Sequence, residues 1–406
     1  MTSPPTIWKT SGAFDSDIRC DVAVIGAGPS GSLVAATLAQ RGAAVALVDP
    51  SHPREKPCGG GLTGRALALI DDLFDVRALP QVRIQSARFL DTVRRQSASV
   101  ALGGAGQTLV VTSRAAVDSA LFDAAVLAGA TIVREQVTRI TAGEPHVVST
   151  RGGRRIEAAC IVGADGANSL VRRRFSTPFR RDQLSIATGY YAHGVTSDEI
   201  VLEMLDVPPG YIWSFPRPDH LAIGICAQAT DTTVGALRET LDRWIRQTGI
   251  AHGARLEPYS WPIPSLPSGD FARTTLGGDG WLTVGDAAGL VDPITREGIF
   301  FALQSGLFAA EALASGSPMA IRHYGDRVRD EIAGELSAAA TLKSGFFRPR
   351  FTRLLIDALG SSAQIRAVMA DLVAGTQPYG TLRRRLLGTL EVGLAWKWLR
   401  DSQRTP

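Results

Sequence analysis

The apolar positions of this chain change period along its length, and the changes outline its elements. Asp21 to Ile25 (Asp-Val-Ala-Val-Ile) is a short apolar run that predicts a buried parallel strand, and Ser30 to Gln40 predicts a helix directly behind a glycine run. Ala44 to Val48 reads as the next strand and ends on Asp49, a helical stretch from Ala115 to Ala128 follows Arg114, and a strand leads from Cys160 into an Asp-Gly turn. The period then becomes two. Tyr211, Trp213 and Phe215 alternate onto one face of a strand, and Leu221 to Cys226 and Trp261-Pro262-Ile263-Pro264 fit neighbouring strands. Ile299 to Leu313 is again helical, and the pattern stays helical from Glu311 to a last helix carrying Leu382, Leu386, Leu390, Leu394 and Trp398 at i, i+4 spacing.

With 406 residues, 45% of them apolar, the chain can bury a large core divided between two folding regions. Cys20, Cys58, Cys160 and Cys226 stand far apart without a C-x-x-C pair, which argues against a zinc or iron–sulfur site and for a reducing cytoplasm. A net charge of only +4 argues against nucleic acid as a partner. Met1 to Arg19 lacks the apolar stretch of a signal peptide, and no run reaches the roughly 18 apolar residues of a spanning helix, so a soluble or surface-attached protein is expected.

Three glycine and aspartate clusters punctuate these elements: Gly26-Ala27-Gly28-Pro29-Ser30-Gly31, Gly163-Ala164-Asp165-Gly166 and Gly285-Asp286-Ala287-Ala288-Gly289. In the first, Gly26 permits a tight turn, Gly28 lets backbone approach a pyrophosphate, Gly31 lets helix and strand pack closely, and Asp49 can accept from an adenosine ribose. An ordinary glycine turn is the plain alternative, and the flanking strand, helix and acid weigh against it. The second cluster resembles a fingerprint of the flavoprotein hydroxylase and reductase superfamily, which implies that Asp165 lies near the pyrophosphate of bound FAD. The third is similar to the fingerprint whose aspartate, here Asp286, meets the ribityl chain and whose later glycine, here Gly298, starts a helix at Ile299 aimed at the flavin. Amides at that helix start stabilise negative charge on reduced flavin. The same resemblance adds Arg114, Val137, Gly59, Gly60 and Gly61 to the cofactor-binding positions, although a lone arginine such as Arg114 is often a surface charge.

Lys56-Pro57-Cys58-Gly59-Gly60-Gly61, Tyr211-Ile212-Trp213-Ser214-Phe215-Pro216 and the run from Asp292 to Ile299 together resemble the geranylgeranyl reductase family, over nearly the whole chain. The resemblance implies an α/β (α+β) fold like that of p-hydroxybenzoate hydroxylase: an FAD-binding Rossmann-like domain, an antiparallel-sheet substrate domain and a helical C-terminal cap. The expected division is 18–80, 111–178 and 273–318 for the FAD domain, 81–110 and 179–272 for the substrate domain, and 319–406 for the helical region. The implied activity is saturation of carbon–carbon double bonds in an isoprenoid, with Cys58 and Tyr211 as orienting or protonating groups, water as a third candidate, and Trp213 beside them in an aromatic wall. Plain packing is the other reading of Cys58 and of the aromatic stripe. Arg296 stands where the family usually has glycine, and either binds an anionic substrate head group or offsets charge on reduced flavin. His193 and His220 read as structural or exposed, and no metal site is expected.

No second Gly-x-Gly-x-x-Gly follows a strand, so electrons are expected from transiently bound NAD(P)H or from reduced ferredoxin. The main rival is an FAD-dependent monooxygenase acting on an aromatic or polyketide substrate. A halogenase would need a pocket lysine, and none lies between Pro57 and Leu342. An electron-transfer flavoprotein serving quinone would need an iron–sulfur cluster, and a non-catalytic prenyl escort would lack reducible FAD. In the last helix Arg383, Arg384, Arg385, Lys397 and Arg400 outnumber Glu391, which suits either peripheral contact with the inner face of a membrane or docking on the protein's own surface.

Overall fold

The run of apolar residues before the first glycine cluster is the end of a longer strand, Asp17–Ile25, in the computed structural model, which describes residues 17–389. This strand pairs in parallel with Val45–Val48 on one side and Arg155–Gly163 on the other. Thr131–Val133 and Trp281–Thr283 extend the sheet in parallel at its two sides. With the antiparallel additions Val137–Thr141, His146–Thr150 and Gly277–Gly278, the sheet has eight strands among the described residues.

Register decides what this sheet can do. Ile25 lies opposite both Val48 and Gly163, and Gly163 lies opposite Thr283, so four strands end at one edge. All three glycine and aspartate clusters begin there, at the carboxyl ends of parallel strands, where folds of this kind bind nucleotides. Alternation along the first strand sends Val22 and Val24 into a core with Leu33, Leu121 and Leu303, from the helices Pro29–Gln40, Arg114–Leu127 and Ile299–Ala314. Ala23 and Ile25 enter a second cluster with Val148 and Ile156 on the opposite face.

The second sheet runs in the order Arg255–Pro264, Leu184–His193, His220–Gln228, Pro209–Pro216, Glu199–Asp206, Ser86–Asp91, Gln96–Ala101. Its pairings are antiparallel except that between Glu199–Asp206 and Ser86–Asp91. One face is covered by the helix Val234–Thr248, where Ile212, Ile223 and Ile225 meet Leu241 and Trp244. Thr233 caps that helix by accepting from the Ala236 amide, and Gly249 ends it at φ +66°. The other face carries the aromatic stripe. A three-stranded sheet of Gly61–Thr63, Leu109–Thr112 and Gln81–Arg83 joins the two regions: Val110 enters the core under the first sheet, Leu109 and Val111 the core under the second.

Helices Gly334–Phe346, Pro349–Ser361, Ala363–Val373 and Tyr379–Gly388 pack on the second sheet, with Leu355, Ile356 and Leu372 against Phe89, Val100 and Ile200. Of the expected amphipathic stripe, Leu382 and Leu386 dock on this same cluster. Leu390, Leu394, Lys397, Trp398, Arg400 and Glu391 lie outside the described residues. Among the described residues, no helix is long and apolar enough to cross a membrane.

Candidate active site

At the shared strand edge, the first turn is shaped by close approach. Gly26 has φ +102°, and a Cβ there would lie 2.4 Å from the Ala164 carbonyl oxygen; a Cβ on Gly31 would lie 1.9 Å from that of Gly26. Gly28 is different: the nearest atom to a Cβ would be His52 Nε2, at 3.9 Å, so this side of the turn is open. The helix Pro29–Gln40 starts at Gly28 without a side-chain cap, with Pro29 and Ser30 buried in its first turn. Its first amides are therefore left for an outside anion.

Asp49 is engaged by its own chain. Oδ2 accepts from the Ala27 amide at 3.0 Å and faces His52 Nδ1 at 3.0 Å, while Oδ1 accepts from the Ser51 and His52 amides at 2.8 Å each. Burial alone would raise its pKa, but the His52 hydrogen bond and charge, with these amides, hold the carboxyl well below the usual range. Asp49 thus locks the first turn. Beyond it, His52 Nε2 is buried without a hydrogen-bond partner, 3.7 Å from Asp118 Oδ2. Asp118 in turn holds Arg114 with two bonds of 2.8 and 3.0 Å, so Arg114 is a buried, paired residue and not a surface charge.

In the second cluster, Asp165 Oδ2 accepts from the Leu170 and Val171 amides at 2.6 and 3.3 Å, while Oδ1 is buried with no partner. In the third, the Gly285 amide donates to Ser305 Oγ at 2.9 Å, tying the turn to the helix Ile299–Ala314, and Asp286 lies 3.4 Å from Lys56 Nζ. Gly298 opens that helix, again without a side-chain cap. Val137 starts an outer strand and packs with the cluster on the far face of the sheet, so a cofactor role for it rests on the resemblance alone. Asp49 and Arg114 are held by their own chain, and the features left open to FAD are the turn at Gly28, two uncapped helix starts, and the unpartnered Asp165 Oδ1 and His52 Nε2, which suit hydroxyl and phosphate groups.

Beside this edge lies a cavity of about 200 Å³. Three segments wall it: the Cys58 loop, the aromatic strand with Tyr211, Trp213 and Phe215, and the turn bearing Arg296 and Glu297; Met369 and Leu372 close it from the C-terminal helices. Glycines make the fit. A Cβ on Gly59 would stand 3.0 Å from the Phe215 ring, and one on Gly224, opposite Trp213 in the sheet, 2.2 Å from the indole. Cys58 Sγ accepts from the Gly60 amide at 3.3 Å. The Tyr211 hydroxyl donates to the Thr295 carbonyl, and burial pushes its pKa well above the ordinary phenol value. Its proton is committed, so Tyr211 anchors the strand to the turn and is a poor acid.

Four further side chains shape the site, and three of them, Glu55, Arg217 and Lys343, lie outside the motifs read from sequence. Arg217, fully buried, donates to Glu55 and, at 2.7 Å, to the Cys58 carbonyl. Glu55 also accepts from Ser113 Oγ at 2.9 Å and the Arg114 amide at 3.2 Å, so one ion pair fastens the cysteine loop to both regions. Burial would raise the Glu55 pKa, and the charge and hydrogen bond of Arg217, with Ser113 and the Ala115 amide, together outweigh it and leave the carboxyl below its usual value. Glu297 is pushed up to about 7 by burial and by Asp292, against the opposing pull of Arg65 at 3.6 Å and Thr63 at 3.3 Å. Lys343, which donates to Gln228 and to Ser265 Oγ at 3.0 Å, is pushed down to about 7 by burial and then by the Arg296 charge. Isolated charges of this kind have no periodic signal; only their distant partners give them meaning.

The FAD binding domain family matches residues 19–317. Menaquinone reductase of Mycolicibacterium smegmatis is 31% identical over 329 residues, covering 73% of this chain and 77% of that protein. Digeranylgeranylglycerophospholipid reductase of Methanothrix thermoacetophila is 29% identical over 355 residues, covering 82% and 88%. A crystal structure of a geranylgeranyl bacteriochlorophyll reductase-like protein from Thermoplasma acidophilum shares the fold, with a TM-score of 0.76 at 22% identity over 92% of this chain and 100% of that one. Glycine turns at one strand edge, an aromatic cavity beside them and relatives of this kind converge on one conclusion: the chain belongs to the geranylgeranyl reductase family of FAD-dependent oxidoreductases.

Proposed function

We propose that this protein saturates carbon–carbon double bonds of a prenyl chain. The observation that carries the reading is the cavity of about 200 Å³, walled by aromatic and aliphatic side chains and lined on one side by Gly298 and Ile299, the start of the helix that Ser305 ties to the third glycine cluster. Relatives named for reduction of geranylgeranyl groups and of menaquinone support it. The cofactor supplies hydride when bound and reduced. The protein's part is to hold the alkene against it, exclude water and deliver one proton. Trp213 and Phe215 give the chain a dry wall, and Tyr211, tied to Thr295, keeps that wall in register with the turn before Gly298.

Cys58 and Glu297 both line the cavity, and Glu297, with a pKa near 7, is neutral for about half of the time at that pH. Cys58 is our candidate donor to the alkene carbon, held by the Gly60 amide, with Glu297 as the proton reserve. Electrons come from NAD(P)H or reduced ferredoxin, and the exposed Arg383 and Arg384 suit contact with a lipid surface that presents the substrate. The test is direct. FAD-loaded protein reduced by dithionite without oxygen is given a geranylgeranyl lipid, and the product is weighed; a gain of two mass units per bond is expected, and unchanged lipid overturns the proposal.

A further inference from the structure

Arg296 is the least compensated charge in the cavity wall. Its Nε, Nη1 and Nη2 are all buried, and none has a hydrogen-bond partner. Among the described residues no carboxylate comes within ion-pair distance of it, because those nearby are engaged elsewhere. Asp292 accepts from Tyr379 at 2.7 Å and from the Ile294 amide at 2.7 Å, and Glu297 faces Arg65 and Thr63. Lys343 lies near enough to feel the Arg296 charge, and its amine bonds only neutral groups, Gln228 and Ser265, so an anion arriving at Arg296 would also favour its protonated form.

The hydrogen bonds of its turn hold Arg296 in an unfavourable backbone conformation. Arg296 adopts φ +60°, in a turn closed by its amide to the Asp292 carbonyl at 3.0 Å and by the Asp292 amide to the Glu297 carbonyl at 3.0 Å. Glycine would take that conformation freely, whereas an arginine there is strained. Buried, unpaired guanidinium nitrogens on a strained backbone are doubly unfavourable to folding, and an arriving anion offsets the first of these costs.

We propose that Arg296, supported by Lys343, binds an oxyanion carried by the prenyl substrate, a phosphate or a carboxylate, so that the enzyme selects acidic prenyl compounds over neutral ones. This rests on the prenyl reading above. Arg296 is the recognition group, since it lines the cavity itself and its planar fork suits bidentate oxyanions. Lys343, when protonated, adds to the local positive potential.

The test uses full-length, FAD-loaded protein and follows the flavin spectrum during titration with farnesyl monophosphate, farnesoate and farnesol. Wild type should bind the phosphate or the carboxylate on the order of tenfold more tightly than the alcohol. Arg296→Gly, which relieves the strained φ, should lose that preference while binding farnesol within about threefold of wild type, and Lys343→Met should lose part of it. Competition by inorganic phosphate against farnesyl monophosphate, but not against farnesol, also supports the subsite. Equal affinities for all three compounds in wild type, or a preference that survives Arg296→Gly, overturn it and leave the prenyl reading standing. A shifted flavin reduction potential in Arg296→Gly with the preference intact overturns it too, and assigns the cation to the cofactor. If none of the three compounds perturbs the flavin, the prenyl reading falls and takes this inference with it.

Discussion

Single side chains set the chemistry of the cavity, and Glu297 gives it a pH dependence whose sign can be worked out. Its pKa is about 7 folded, against 4.5 for the free group. Below the lower value the carboxyl is neutral in both states and contributes nothing to stability. Between the two values the unfolded chain ionises first, so stability falls as pH rises; above the upper value the full loss is on the order of 3 kcal/mol, less what its partial exposure to the cavity recovers. Urea unfolding of Glu297→Gln should therefore show little difference from wild type near pH 4 and a clear gain near pH 8; equal curves at both would mean the carboxyl is solvated. Gly224 is a second residue with a sharp expectation, since a Cβ would lie 2.2 Å from Trp213 and 2.6 Å from the Tyr259 hydroxyl. Gly224→Ala should cost about 1–3 kcal/mol, read as a lower Tm, because the new methyl would push the indole off its packing place on the sheet. Neither effect was legible in the sequence, where Glu297 is one acid in a turn and Gly224 one glycine in a strand.

Elements show the reverse. The first strand, the helix behind the glycines and the helix after Gly298 were all readable, because each joins a period to a start signal, and the structure has them at Asp17–Ile25, Pro29–Gln40 and Ile299–Ala314. Gly26→Ala should break the first of these joins, pressing a Cβ into the Ala164 carbonyl; purified protein should carry much less FAD per chain, measured by the ratio of flavin to protein absorbance. Loss of FAD with the fold intact by circular dichroism is the expected pair of results. The fastening of the cysteine loop was not readable, since it depends on Glu55 and Arg217, which are 162 positions apart. Arg217→Met leaves the Glu55 carboxylate without its cation, and because Glu55 is partly exposed and keeps its Ser113 bond the cost should fall below the roughly 3–5 kcal/mol of a fully buried pair. Amide exchange across residues 55–61 should quicken beyond the global effect; uniform quickening would show that the pair merely stabilises the whole chain.

At the scale of the whole molecule, function follows from two sheets meeting at one place. The parallel sheet brings three remote glycine clusters to a single edge, and the mixed sheet presents an aromatic face beside it, with the C-terminal helices closing the space between. The family resemblance named both regions in advance, because turn glycines and alternating aromatics survive as local patterns. What closes the cavity could not be foreseen: Met369 and Leu372 come from one helix, Ala363–Val373, whose pattern does not say what it packs against. The most direct test of the account is a single turnover in the absence of oxygen. Reduced, bleached holoprotein mixed with a geranylgeranyl substrate should regain its yellow absorbance in proportion to the double bonds saturated. Colour that returns only when oxygen is admitted, with the double bonds intact, would contradict it.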